Sequence, residues 1–273
     1  MLRTWLALWA VLMGVAASFP AYGASALRDD PRWRQARDDL AQGKTSEAKA
    51  EFEKLLTQYP KDADLQLFLG MALLRLRDPR GAEAAARKAI TLDPQHVDAR
   101  TFLAWIELEV RGDVDAAISE YQQVIELHPE LAEAYSNLAV AQKRKGQLNR
   151  AIENLNRALE RKPDFAAALT MRGGILAEQD KWPEARRDFE AALKLDPRDD
   201  GALYGVAQAM RESRDYAGAQ QALRALIARS PNFVYWLEWG RIGLIRYWWV
   251  LLLAAIAVAL RGRLMKRRIE ANG

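Results

Sequence analysis

The apolar and polar positions of this chain recur in a fixed pattern. Between Ala132 and Pro163, AEAYSNLAVAQKRKGQLNRAIENLNRALERKP, large or apolar residues fall at helical spacing at Tyr135, Leu138 and Ala139. They do so again at Ala151, Ile152, Leu155, Ala158 and Leu159. Gly146 separates the two runs, and Pro163, with no N–H and a ring that clashes with the preceding turn, stops the second. The pattern predicts two short helices joined by a turn, each with one face to bury. Such a pair cannot bury both faces against itself, so it requires neighbours.

The neighbours emerge when the prolines are aligned. Pro60, Pro94, Pro129, Pro163, Pro197 and Pro231 are spaced by 34, 35, 34, 34 and 34 residues, a period regular enough to define a repeat array. Twelve positions before each proline stands alanine: Ala48, Ala82, Ala117, Ala151, Ala185 and Ala219. Eight before it stands Phe52, Ala86, Tyr121, Leu155, Phe189 or Leu223, and five before it Leu55, Ala89, Val124, Ala158, Ala192 or Leu226. The small alanine suits a close helix crossing, and the larger residues fill the space beside it. The third copy has one extra residue, expected in the turn around Arg111-Gly112-Asp113, where it would lengthen a loop and leave the stack intact.

This set of residues resembles the tetratricopeptide repeat. In that family the first helix carries an aromatic, a Leu-Gly pair such as Leu69-Gly70, and a Tyr, and the second carries Ala, Phe or Tyr, Ala, then Pro. The resemblance covers roughly Asp29 to Pro231. It implies an all-α fold, a right-handed α-solenoid of about six helix-turn-helix repeats, with a concave groove lined by first helices. Two departures stand out. The first helix of the first copy is charged, with Gln35 and Ala36 at pattern positions and a lone Trp33, as suits a capping repeat. In the fifth copy Arg172 replaces the usual leucine.

The resemblance also implies where a partner would bind, because certain first-helix positions face the groove. Here they are Leu67, Met71, Leu74 and Arg75 in the second copy, and Thr101, Trp105 and Leu108 in the third. Ser136, Val140, Lys143 and Arg144 follow in the fourth, and Tyr204, Gln208 and Arg211 in the sixth. Apolar anchors among long cations would suit a protein partner, a peptide or amphipathic helix carrying some acidic groups. Asn137 occupies a place used by arrays that grip a C-terminal carboxylate, but those arrays also need a basic residue where this chain has Asp64, Asp98 and Glu133. That departure argues against a carboxylate clamp.

Both ends of the chain differ from the repeats. Residues 1–26 have Arg3, an uncharged run from Thr4 to Phe19, then Pro20 and small residues, the arrangement of an export signal with cleavage after Gly23 or Ala26. An uncleaved anchor is the alternative, and either sends residue 30 onward across the membrane. After the array (29–231), an amphipathic aromatic connector is expected over 232–246, an apolar membrane-spanning helix over 242–260, and a basic tail over 261–273. The apolar run from Tyr247 to Leu260 is about 21 Å long as a helix, and starting at Ile242 lengthens it to about 28 Å if Arg246 reaches the interface. A helix lying on the membrane, or one sealing the last repeat, competes with this reading. Arg261, Arg263, Lys266, Arg267 and Arg268 place the tail in the cytoplasm and hence the array outside, in a Gram-negative host the periplasm.

Charge and composition narrow the function. Of 40 Lys and Arg, 32 lie within residues 27–240, beside 35 of the 36 Asp and Glu, so the basic excess belongs to the tail. A basic folded stripe, which nucleic-acid binding requires, is missing, so no nucleic-acid partner is expected. The absence of cysteine removes structural disulfides and a lipoprotein anchor. His96 and His128, the two histidines, sit beside repeat-ending prolines without spaced metal or triad partners and read as solvated turn residues. No phosphate-binding loop, nucleophile elbow or dinucleotide fingerprint occurs. The expectation is a non-enzyme without cofactor or metal: a membrane-tethered scaffold that recruits proteins to an envelope complex. A glycan-contacting accessory subunit of a polymer secretion machine is the alternative, resting on Trp105 and Tyr204.

Overall fold

The computed structural model describes residues 26–271, so all but the last residue of the expected export signal lies outside the described part. After a single helical turn, Ala26–Asp29, each repeat contributes two helices. They are α1 (Pro31–Ala41) and α2 (Thr45–Gln58), α3 (Ala63–Arg75) and α4 (Pro79–Leu92), and α5 (Val97–Trp105) and α6 (Val114–Leu127). Then follow α7 (Ala132–Arg144) and α8 (Leu148–Arg161), α9 (Ala166–Glu178) and α10 (Trp182–Leu195), and α11 (Asp200–Glu212) and α12 (Tyr216–Arg229). A final long helix, α13, runs Phe233–Ala271. No strand occurs among the described residues. The chain forms two compact units, one ending at Asn154 and the other beginning at Leu155, within α8. In the first, each helix from α1 to α7 packs on the next; in the second the same holds from α9 to α13.

The repeat pattern is the core. All six alanines twelve before the prolines are fully buried, as are all six residues five before them. Between these, the larger residue sets how close the first helices come. Phe189 lies so near α9 and α11 that a Cβ on Gly173 or Gly205 would meet its ring at 2.9 and 2.5 Å. In the second repeat, where Ala86 is small, Phe102 of α5 fills that place and lies 3.1 Å from where a Gly70 Cβ would be. In the capping repeat Trp33 is buried, its ring centre 5.8 Å from that of Phe52 and 4.9 Å from that of Phe68.

Six positive-φ residues close the turns between first and second helices: Gly43, Arg77, Gly112, Gly146, Asp180 and Arg214. The residue after each donates its N–H back into the first helix. Asp78 bonds to the carbonyl of Leu73 at 2.9 Å, Gln147 to Gln142 at 2.9 Å and Asp215 to Met210 at 2.8 Å, each five residues back. In the third repeat the matching bond, Asp113 to Glu107 at 2.8 Å, reaches six. The extra residue therefore does not lengthen the loop, as the sequence suggested. It is absorbed inside the helix, where Ile106–Arg111 winds as a π segment while the turn after it stays unchanged. A turn that satisfies its backbone groups resists a longer loop, whereas a helix accepts one residue by widening one turn.

Arg172 is accommodated by a compensating acid. Its Nε and Nη2 donate to the two carboxylate oxygens of Asp188 on α10, each at 2.7 Å, and Nη1 donates to Asn156 Oδ1 at 2.7 Å. Asp188 is buried, so the bidentate pair replaces a packed leucine with a satisfied ionic contact.

Helix α13 joins the expected connector and expected span into one rod. Its start, just after Pro231, matches the place where every earlier first helix begins, and its first turns pack as a seventh first helix would. Tyr235, Trp239 and Ile242 sit at helical spacing against Ala207, Leu223 and Leu226, with Ile242 only 1 % exposed. Beyond Ile242 no described large apolar side chain of the helix is buried against the repeats, and among the described residues Arg246 makes the last polar contact with them, to Gln220. From Leu244 to Leu260 the described large apolar side chains are exposed, up to 72 % at Val258. Residues 233–261 are long and apolar enough to cross a membrane by length and composition.

Candidate functional site: the first-helix face of the repeats

The first helices present the surface that the sequence nominated, and the structure divides its residues into three groups. Leu67 and Leu108, each 2 % exposed, and Ser136, 6 % exposed, are buried. These three are corrections: Leu67 packs against α5 and Leu108 against α7, and Ser136 is equally closed to solvent, so none offers open surface. Met71, Leu74, Thr101, Trp105, Val140 and Lys143 are half-buried. Met71 bridges the first two core clusters, Trp105 packs beside Phe102 and Ile106, and Val140 packs beside Leu108 and Leu138. Each keeps one side on the surface, so α3, α5 and α7 share a row of partly exposed apolar groups.

The arginines nominated in these repeats form the second group, and both are engaged. Arg144 Nη1 donates to the carbonyl oxygen of Leu108 at 2.7 Å and Nη2 to Glu109 at 2.6 Å. Arg75 likewise donates to the carbonyl oxygen of Leu40. Each arginine thus caps the carboxyl end of the preceding first helix, where carbonyls lack partners and the helix dipole favours positive charge. Both guanidinium groups stay exposed while making these bonds, so part of their donor capacity is already engaged within the array.

The third group lies in the C-terminal unit and is covered by α13. Tyr204 stacks against Tyr235 with ring centres 5.4 Å apart, and Arg211 bonds Glu238 at 2.9 Å and Glu212 at 2.6 Å. Burial and the nearby Glu238 carboxylate raise the Tyr204 phenol above its usual pKa. Gln208 is half-buried on the same helix and bonds Tyr204. The line of contact residues expected to continue in the sixth copy is instead the seat of α13. The signal for this was present in the sequence: the aromatic segment after Pro231 is spaced like a first helix.

Three further features escaped the sequence reading. His96 is not a solvated turn residue. Its ring is nearly buried, with Nε2 3.2 Å from Asp64 Oδ1, and Arg28 Nη2 reaches the other oxygen of the same carboxylate at 3.4 Å. Burial opposes a charged imidazole, but close contact with the Asp64 carboxylate outweighs it and raises the His96 pKa. In turn the contact with His96, against the cost of burial, holds Asp64 below the usual carboxylate range. His128, by contrast, stays near the surface beside Glu130 at 3.1 Å. Second, Glu107 within the π segment is buried and bonds Arg87 at 2.6 Å and Arg111 at 3.2 Å. Third, the Arg37 guanidinium lies over Trp33 and Phe68, 5.6 and 5.3 Å from the ring centres. None of these would have been found from spacing, because each depends on which side chains two successive repeats bring together.

Among the described residues, no group of three or more His, Asp or Glu is arranged to hold a metal ion. The described geometry is a packing and contact surface.

Tetratricopeptide repeat family profiles match residues 34–97, 69–132, 111–174 and 176–237, which together span most of the chain. The chain belongs to the tetratricopeptide repeat family. Among curated relatives, tetratricopeptide repeat protein 36 of Xenopus tropicalis is 40 % identical over 87 residues, 30 % of this chain and 43 % of that protein. The chain thus spans less than half the length of that relative. The solved structure of Pseudomonas aeruginosa pilF superposes with a TM-score of 0.69 at 18 % identity, covering 79 % of this chain and 97 % of that one. YrrB, described as a TPR protein with an unusual peptide-binding site, superposes with a TM-score of 0.54 at 20 % identity, covering 70 % and 97 %. At these identities the likenesses show the fold, an α-solenoid.

Proposed function

We propose that this chain is a non-catalytic scaffold, tethered to a membrane by the distal part of α13, that recruits partner proteins through the first-helix face of α3, α5 and α7. The observation that carries the proposal is the change of character along α13. One helix seals the last repeat with Tyr235, Trp239 and Ile242, then continues as an exposed apolar rod that has no protein to cover it among the described residues. Burial in a hydrocarbon layer satisfies such a rod, and its helical backbone needs no further hydrogen-bond partners there. Because Ile242 is committed to the repeat core, the rod begins at about Leu244, and its seventeen residues to Leu260 span about 26 Å. A bilayer accommodates that shortfall by slight thinning and by flanking cations reaching outward. The cations after Leu260 favour a cytoplasmic tail, which would put the repeats on the far side, in a Gram-negative cell the periplasmic face of the inner membrane.

The partner surface is the row Met71, Trp105 and Val140, which suits the apolar face of a peptide or helix. YrrB, with its peptide-binding site, supports a peptide occupant by likeness of fold. The glycan reading keeps only Trp105 of its two motivating aromatics, since Tyr204 stacks on Tyr235.

Membrane extraction tests the tether. Full-length protein should resist alkaline carbonate, and a chain ending at Arg246 should be released; release of both would overturn it.

A further inference from the structure

A cavity of about 640 Å³ opens between α12 and α13, lined by Gln220, Arg224, Trp239, Gly243, Arg246 and Tyr247 among others. Its chemistry is one-sided. Two guanidinium groups face it and no carboxylate lines it. The Trp239 indole N–H is buried and has no acceptor. Arg224 lies over the Trp239 ring, 5.4 Å from its centre, and Arg246 over the Tyr247 ring at 5.0 Å. The polar contacts that close the floor are long: Gln220 Nε2 donates to the Trp239 carbonyl at 3.4 Å, and Arg246 Nη1 donates to Gln220 Oε1 at 3.3 Å. Gly243 keeps the floor open, because a Cβ there would meet Gln220 Nε2 at 3.2 Å. A pocket with this surplus of donors calls for an anion with several acceptor oxygens, which arginine pairs bind in short charge-assisted hydrogen bonds.

Position identifies the anion's source. Arg246 and Tyr247 stand where α13 leaves the repeats and its apolar surface begins, with Trp248, Trp249, Val250 and Leu252 exposed just beyond. A ligand seated here and extending along α13 must be anionic at one end and apolar at the other. We infer that the pocket holds the phosphate of an anionic phospholipid, its acyl chains lying along the exposed face of α13. This rests on the membrane reading above. It adds that the array is held at a fixed height on the bilayer, with Arg224 at headgroup level, Arg246 reaching up to it from the first turn of the apolar rod, and aromatic rings beside them, where such rings prefer to sit.

The test uses the full chain in neutral detergent, with lipid binding read by native mass spectrometry. The probes are dihexanoyl phosphatidylglycerol, dihexanoyl phosphatidylcholine and inorganic phosphate. The expected result is one phosphatidylglycerol per chain, held at least tenfold more tightly than phosphatidylcholine, about 1.4 kcal/mol, and not displaced by equimolar phosphate. Arg224→Gln with Arg246→Gln should abolish that preference, while Arg241→Gln, on the same helix but outside the pocket, should leave it intact. Equal binding of the two lipids, or a preference surviving the double substitution, would overturn the inference. Displacement by equimolar inorganic phosphate would also overturn it, marking a free-anion site. Should the double variant fail to fold, Arg246→Gln alone, which removes one exposed guanidinium and leaves the core seal intact, should loosen phosphatidylglycerol several-fold; unchanged binding counts against the pocket. Carbonate resistance of the wild type separates the two ideas: a chain that stays in the membrane but shows no headgroup preference retains the tether and loses this site.

Discussion

The first helices of the second to fourth repeats and that of the sixth occupy the same place in their repeats, yet their outward faces meet different fates. On α3, α5 and α7 the row Met71, Trp105 and Val140 keeps one side at the surface. On α11 the equivalent face receives α13, so that Tyr204 and Arg211 are taken up by Tyr235 and Glu238. Repeat position fixes the direction in which a side chain points, and the next element decides whether anything can reach it. A repeat array offers a binding face only where no helix of its own has claimed it.

Removing the covering helix is the strongest way to break this contrast. A chain ending at Asn232 exposes the apolar seat of Tyr235, Trp239 and Ile242, and should lose roughly 3–6 kcal/mol of stability in its C-terminal unit, at about 1.5–3 kcal/mol for the fully buried Ile242 and about half that for each of the half-buried Tyr235 and Trp239. Urea unfolding followed by a probe in α11 measures this, and a chain ending at Arg246 should retain most of the stability. Next in size is the packing beneath the covered face. Gly205→Ala forces a methyl group against the Phe189 ring, with an expected cost of about 1–3 kcal/mol. The same substitution at Gly174, where nothing lies within 4 Å of a new Cβ, should be neutral or slightly stabilising.

The ion pair of the fifth repeat sharpens the point further. Asp188→Ala leaves the Arg172 guanidinium without its bidentate partner and should cost about 2 kcal/mol, less than a fully buried pair because Arg172 is partly solvated. Adding Arg172→Leu, which restores the family residue, should recover most of the loss. A double-mutant cycle in urea decides it, and additive losses would contradict the coupling.

The smallest expected effect is a pH dependence in the N-terminal unit. The raised His96 pKa means that its contribution is fully present below about pH 6.5, the ordinary imidazole value, and disappears as pH rises through the raised value. The lowered Asp64 contributes above the ordinary carboxylate range and is lost as pH falls through its folded value. The unfolding midpoint of the wild type relative to His96→Ala should therefore be higher at pH 5.5 than at pH 8.5; equal differences at the two values would remove His96 from the account.

These effects also mark what was readable in the residues alone. The alanine, large-residue and proline register fixed the helices, their turns and the buried set, because close crossings admit few residue types at each place. The site was legible only in part. Met71, Trp105 and Val140 lie where the register put them, but Leu67, Leu108 and Ser136 turned inward by a fraction of a helical turn, an angle that spacing cannot resolve. Arg75 and Arg144 looked like groove cations because their targets, the carbonyl oxygens of Leu40 and Leu108, are backbone atoms and leave no mark in a sequence. The extra residue of the third repeat was visible as a count, while its place inside the π segment that continues α5 depended on hydrogen bonds in the turn.

Photo-crosslinking from the two faces tests the central claim most directly. With the full chain in native membranes, a photoreactive residue is placed at Met71, Trp105 or Val140 in one set and at Tyr204 in another. The account predicts crosslinks to a separate protein from the first set and only to the chain's own α13 from Tyr204. Crosslinks to the same separate protein from both faces, or to none from Met71, Trp105 and Val140, would contradict it.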